Sequence, residues 1–171
     1  MKIDLQEKTE EALKWIVDIL DKNNVPYKIG GGFAAHIYGS PRVINDIDIS
    51  LSGKYFPIII PYVTDYITVG PKHYLNEKWD CMTLSLNYKG QDIDITDIDT
   101  LKMSNLEKTK WINVKEIRLF DAIPTDINKL NVSIMDPRDL VCYKEELGGE
   151  HQLIDIEAIK KYIDNMLQYT L

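Results

Sequence analysis

The stretch that decides the reading of this chain is Gly30-Gly31-Gly32-Phe33-Ala34-Ala35-His36-Ile37-Tyr38-Gly39-Ser40-Pro41-Arg42-Val43-Ile44-Asn45-Asp46-Ile47-Asp48-Ile49. Val25, Tyr27 and Ile29 alternate as a short strand that runs into the glycines, where backbone can approach a ligand closely. Phe33 to Tyr38 reads as a short helix whose N-terminus offers unpaired N–H groups. Gly39-Ser40 closes it with a turn and supplies an N–H and a hydroxyl suited to phosphate oxygens. Asn45 to Leu51 then alternates as a strand. Ile47 and Ile49 face a core, while Asp46 and Asp48 share the other face, roughly 7 Å apart.

Two common phosphate motifs do not fit. A P-loop needs a lysine after its second glycine, and none follows Gly39; a dinucleotide fingerprint needs Gly-x-Gly-x-x-Gly, whereas these glycines are contiguous. The carboxylates imply instead that metal neutralises phosphate.

A second acidic cluster, Gln91-Asp92-Ile93-Asp94-Ile95-Thr96, follows a hairpin expected from Cys81 to Asn87 with its turn at Tyr88-Lys89-Gly90. Ile93 and Ile95 face inward, so Asp92 and Asp94 project from the face that meets Asp46 and Asp48 if the strands are neighbours. A two-metal site, with ions roughly 3.5–4 Å apart, requires that third carboxylate. Asp94 lies farther from the hairpin turn and is preferred, with Asp92 as the alternate third ligand. A calcium loop starting at Asp92 is excluded, because Asp97 and Met103 stand where glycine and glutamate are needed.

The glycine run, Gly-Ser, Asp-x-Asp and a later aspartate strand together resemble the DNA polymerase β-type nucleotidyltransferase superfamily. Gly-Gly-x-Ala, Tyr-Gly-Ser-x-Arg and Asp-Ile-Asp-Ile are similar to its small stand-alone members, toxin-type and antibiotic-modifying. Asp136-Pro137-Arg138-Asp139-Leu140-Val141-Cys142-Tyr143-Lys144 looks like the later Asp-Leu…Lys helix of that family. Gly149-Glu150-His151-Gln152 is similar to a segment of a family labelled MazG-related, a label that does not establish pyrophosphohydrolase chemistry. The chain departs from the minimal Gly-Ser-x-Ala-Arg-Gly form, has Ile44 where threonine is common, and has His151-Gln152 where a basic residue and aspartate often stand.

The resemblance implies an α/β (α+β) fold with a mixed sheet flanked by helices, in a single domain over residues 1–171 with a helical C-terminal region over 136–171. It implies transfer of a nucleoside monophosphate from a triphosphate, ATP among the candidates, to an acceptor hydroxyl. Asp46, Asp48 and Asp94 would hold Mg²⁺ or Mn²⁺. Gly31, Gly32, Gly39, Ser40, Arg42 and Lys144 would bind the nucleotide. The acceptor is open between protein, small molecule and RNA. The alternative is a nucleotide-binding or antitoxin-like partner module with the same fold and little turnover. Arg42 is read either as a phosphate or base contact or as an ion pair holding the turn. His36 is read as packed or hydrogen-bonded, His151 as site lining or helix capping, and Cys81 and Cys142 as buried small apolar residues.

Composition agrees with one domain of 171 residues and a real core. No apolar run reaches membrane-spanning length, and Met1 to Glu11 lacks the apolar core of a signal peptide, so cytoplasmic residence is expected. Two cysteines without a CxxC and three histidines argue against zinc and give no ground for a disulfide. A net charge of −7 argues against general nucleic-acid affinity.

Elsewhere, Leu13, Ile16, Val17 and Leu20 mark a first amphipathic helix ending near Asn23-Asn24. Tyr55 to Ile67 reads as broken helix among Pro57, Pro61 and Pro71; Lys110 to Val114 and Asn131 to Ile134 read as short strands. Asp136-Pro137 gives an N-cap and first-turn proline, Gly148-Gly149 a stop, and Ile154 to Leu167 a final helix.

Overall fold

A computed structural model describes residues 2–168. The chain runs α1 (Glu7–Lys22), β1 (Tyr27–Ile29), α2 (Gly31–Ile37), β2 (Asp46–Leu51), α3 (Phe56–Val63), β3 (Ile67–Leu75) and β4 (Trp79–Tyr88). It continues through β5 (Gln91–Asp97), β6 (Lys102–Ser104), β7 (Trp111–Asn113), α4 (Val114–Ile117), β8 (Ile123–Ile127) and β9 (Leu130–Ile134). Two helices, α5 (Pro137–Leu147) and α6 (Glu150–Gln168), end the described region.

Nine strands among the described residues form one mixed sheet, ordered β7-β6-β4-β5-β2-β1-β9-β8, with β3 paired to β4 outside that path. At its centre β2 and β5 run parallel, each flanked by an antiparallel neighbour. The alternation expected of β2 and β5 holds: Ile47, Ile49, Ile93 and Ile95 are buried on one face and pack in the main core with Leu13, Ile16, Val17 and Leu20 of α1. Burying each such side chain stabilises the fold by about 1.5–3 kcal/mol, so the face carrying the aspartates is fixed by the isoleucines behind it.

Gln91, fully buried, locks this register. Its Nε2 donates to the Asn45 carbonyl at 2.8 Å, and its Oε1 accepts from Thr9 Oγ1 at 2.7 Å, joining the starts of β2 and β5 to α1. The broken helix expected after Tyr55 is present as α3 between two short 3-10 turns. Asp136 caps α5 by accepting from Arg138 N–H, with Pro137 in the first turn.

Pro71 lies within strand β3, an edge strand with register irregularities where a missing N–H donor is tolerated. Two readings need correction. Helix α6 begins at Glu150, directly after the glycine pair, and not at Ile154. Cys142 is exposed, because α5 buries Leu140, Val141 and Lys144 on one side and turns Cys142 to the other. Cys81 is buried as expected. No helix among the described residues is long and apolar enough to cross a membrane.

Candidate active site

Parallel pairing of β2 with β5 sets Asp46 opposite Asp92 and Asp48 opposite Asp94. Carboxylate oxygens of Asp46, Asp48 and Asp94 all lie within 4.8 Å of one another. Asp92 is exposed and accepts from Asn87 Nδ2 at 2.7 Å, outside this cluster.

The glycine run is shaped around Asp48. Gly31 has φ +58°, and a Cβ there would fall 1.6 Å from Asp48 Oδ2. Gly30 N–H donates to the Asp48 carbonyl at 2.9 Å, and Gly32 N–H donates to the Asp48 carboxylate. The run therefore seats a carboxylate, where the sequence alone suggested N–H groups free for phosphate.

Electrostatics of the cluster are those of crowded acids. Burial, then the charges of Asp46 and Asp94, push the Asp48 carboxyl up to about 7, against the opposing pull of Lys144 and the Gly32 N–H. Asp46 is raised by burial and by Asp94 and Asp92, with Arg42 pulling the other way. An all-oxygen donor set whose members repel one another fits a hard divalent cation such as Mg²⁺ or Mn²⁺, which removes the repulsion.

Ser40, Arg42 and Lys144 meet elsewhere, on Asp155 of α6. Ser40 Oγ donates to Asp155 Oδ1 at 2.6 Å, while Arg42 Nη1 and Lys144 Nζ donate to Asp155 Oδ2 at 2.6 and 2.8 Å. Lys144 Nζ also donates to Gln152 Oε1 at 2.9 Å. Burial alone would raise Asp155, but hydrogen bonds from Lys144 and Ser40 and the charges of Lys144 and Arg42 outweigh it and hold the carboxyl below the usual range. Ser40 N–H closes α2 on the Ala35 carbonyl at 2.9 Å, after Gly39 at φ +101°. Both Ser40 donors are engaged within the protein, and Arg42 forms an ion pair with Asp155. His36 Nδ1 lies 3.1 Å from the Arg42 carbonyl, a hydrogen-bonded position. His151 Nε2 lies 3.1 Å from Gln152 Nε2 at the start of α6.

A cavity of about 470 Å³ opens beside Asp48 and Asp94. Among its lining side chains, sequence reasoning did not single out Lys72, Trp79 and Arg118. Lys72 lies on the irregular strand β3, and Arg118 follows the short helix α4, so no periodicity pointed to either.

No family model matches the chain, and comparison with curated proteins finds no match in sequence. Solved structures do match. A Thermotoga maritima protein assigned as a nucleotidyltransferase superposes with a TM-score of 0.70 at 15% identity, over 95% of this chain and 97% of that one. The chain has the nucleotidyltransferase fold. The lincomycin-bound lincosamide antibiotic adenylyltransferase LnuA shares it with a TM-score of 0.62 at 16% identity, over 93% of this chain and 99% of LnuA. ANT(2")-Ia in complex with adenylyl-2"-tobramycin shares it with a TM-score of 0.58 at 13% identity, over 90% and 88% of the two chains. Within this fold the aspartates of β2 and β5 occupy the centre of the sheet, where the main core holds them from behind.

Proposed function

We propose that the chain is a metal-dependent nucleotidyltransferase, related in chemistry to the small stand-alone enzymes that modify antibiotics or proteins. The observation that carries this reading is the convergence of Asp46, Asp48 and Asp94 within 4.8 Å, with Gly31 cut away to admit Asp48. Bound by these three side chains, Mg²⁺ or Mn²⁺ would supply positive charge against triphosphate oxygens and lower the pKa of an acceptor hydroxyl.

Asp46 and Asp48 hold the cations in this reading. Asp94 completes the set and takes the acceptor proton as the acceptor oxygen bonds to the α-phosphorus and the bond to pyrophosphate breaks. Ser40, Arg42 and Lys144 act from behind the site. Their grip on Asp155 fixes the Gly39-Ser40 turn, and the Lys144 charge is felt at Asp48.

The test is incubation of the purified protein with each nucleoside triphosphate labelled at the α-phosphate, Mg²⁺ or Mn²⁺, and cell extract. Label is expected on an acceptor with wild type and not with Asp48→Asn. Metal-dependent binding without transfer would make the chain a nucleotide-binding module; triphosphate affinity that is equal with and without metal would remove the metal site altogether.

A further inference from the structure

The acceptor's chemical class can be read from the charges around the 470 Å³ cavity, an inference that rests on the transfer reading above. In-line displacement puts the attacking oxygen and the leaving pyrophosphate on opposite sides of the α-phosphorus. Asp94, which takes the acceptor proton in that reading, lines the cavity, whereas Arg42 and Lys144 are held on Asp155. The cavity borders Asp48 and Asp94 but not Asp46, and is the space left for the acceptor.

Apart from those two aspartates, the charged residues lining it are Lys72 and Arg118. Arg118 is anchored: its Nη2 donates to Ser50 Oγ at 3.0 Å. Ser50 follows Asp48 by two residues on the same face of β2, so the guanidinium is held roughly 7 Å along the strand from the acid cluster. Its Nε is buried and has no hydrogen-bond partner among the described residues. A buried donor left unmet is uncommon in folded proteins.

Among the described residues no carboxylate forms an ion pair with Arg118; the charge of Asp139 acts on it from farther away. A second cavity, of about 550 Å³, shares Arg118 and Ser50 and adds Lys28, Lys54 and Lys115, with no carboxylate among its lining residues. Two acids of this region are engaged. Asp99 pairs with Lys115 and accepts from Ser52, and Asp139 accepts from the N–H groups of Leu119 and Phe120 at 3.0 and 3.1 Å. In a chain of net charge −7, Lys72 and Arg118 face the first space, and Lys28, Lys54 and Lys115 face the second. Trp79 and Tyr143, with ring centroids 6.1 Å apart, supply an apolar wall for a carbon skeleton.

We infer that the acceptor is a small hydroxylated molecule carrying an oxyanion, carboxylate or phosphate, bound with its hydroxyl at Asp94 and its oxyanion on Arg118. Tobramycin, found adenylylated in ANT(2")-Ia, is a polycation and would meet Lys72 and Arg118 with like charge.

The test divides the small-molecule fraction of a cell extract on ion exchangers into anionic, neutral and cationic pools. Each pool, the macromolecular fraction, and tobramycin are offered to the protein with α-labelled triphosphate and metal. Label should pass to the anionic pool alone, and Arg118→Gln should reduce that transfer at least ten-fold with metal-dependent triphosphate binding unchanged, Arg118→Lys retaining part of it. Phosphatase treatment of the pool distinguishes the sources: loss of acceptor activity identifies a phosphate monoester, persistence a carboxylate. Transfer to the neutral or cationic pool, to tobramycin, or to RNA or protein overturns the inference, as does no transfer to any pool by protein that binds triphosphate with metal. Failure of metal-dependent triphosphate binding in wild type instead overturns the transfer reading on which the inference stands.

Discussion

A Cβ on Gly31 would lie 1.6 Å from Asp48 Oδ2, so the absence of a side chain at one residue is what gives the other its place. The left-handed backbone at Gly31, φ +58°, reinforces the requirement, because other residues adopt it at a cost of about 1 kcal/mol or more. Gly31→Ala should therefore displace the carboxylate, lowering metal-dependent triphosphate affinity at least ten-fold, about 1.4 kcal/mol. Calorimetry with and without Mg²⁺ checks this, and an unchanged affinity would show that Asp48 is not a ligand.

Asp92 and Asp94 sit on one face of β5 but in different surroundings, the first exposed on Asn87 and the second in the acid cluster. Asp94→Asn should abolish nucleotidyl transfer while Asp92→Asn leaves most of it. Rates of both variants under saturating triphosphate decide the matter, and the opposite ranking would move the third ligand to Asp92.

The metal-free protein should lose stability as pH rises toward neutrality. Asp48 has a folded-state pKa raised to about 7, so its contribution is present below the ordinary carboxylate value and is lost as pH passes through that of the folded state. Asp155 is shifted the other way, and its contribution is lost only as pH falls below the usual carboxylate range. Melting temperatures between about pH 5.5 and 7.5 should fall with pH without metal, and added Mg²⁺ should raise them most at the upper end. Asp48→Asn should flatten the metal-free profile. A profile unchanged by this substitution would refute the crowding of the three acids.

Ser40 and Lys144 should behave as stability residues. Ser40→Ala removes one hydrogen bond to a buried carboxylate and should lower unfolding free energy by about 1–2 kcal/mol with triphosphate affinity unchanged. Lys144→Met should remove more, about 3–5 kcal/mol at most, because Arg42 still pairs with Asp155. Denaturant unfolding gives both values; a Ser40→Ala protein with normal stability and weakened nucleotide binding would return Ser40 to the phosphate.

What the sequence disclosed follows its periodicities. Alternation placed Ile47, Ile49, Ile93 and Ile95 behind the aspartates and thereby made a shared acidic face readable before any pairing was known. The same alternation could not separate Asp92 from Asp94, since both obey it; the surroundings that do so, Asn87 beside Asp92 and the acid cluster around Asp94, are tertiary facts. Gly-Ser was legible as a turn but not as a turn whose hydroxyl is bound by a residue 115 positions away. Arg118 was silent for a similar reason, its neighbours being a four-residue helix and irregular chain, with its meaning supplied by Ser50 on a distant strand.

Asp155 binds the chain's last described helix to the turn that precedes β2. Detaching α6 would strand the cations of Arg42 and Lys144 and leave Ser40 without its acceptor, so opening of the helix and loosening of the turn become one event. The amides of α2 and those of α6 then belong to a single cooperative unit in hydrogen exchange. A substitution far out on α6 would reach the aspartates as a change in how often their supporting loop opens, with every residue around the cavity left in place.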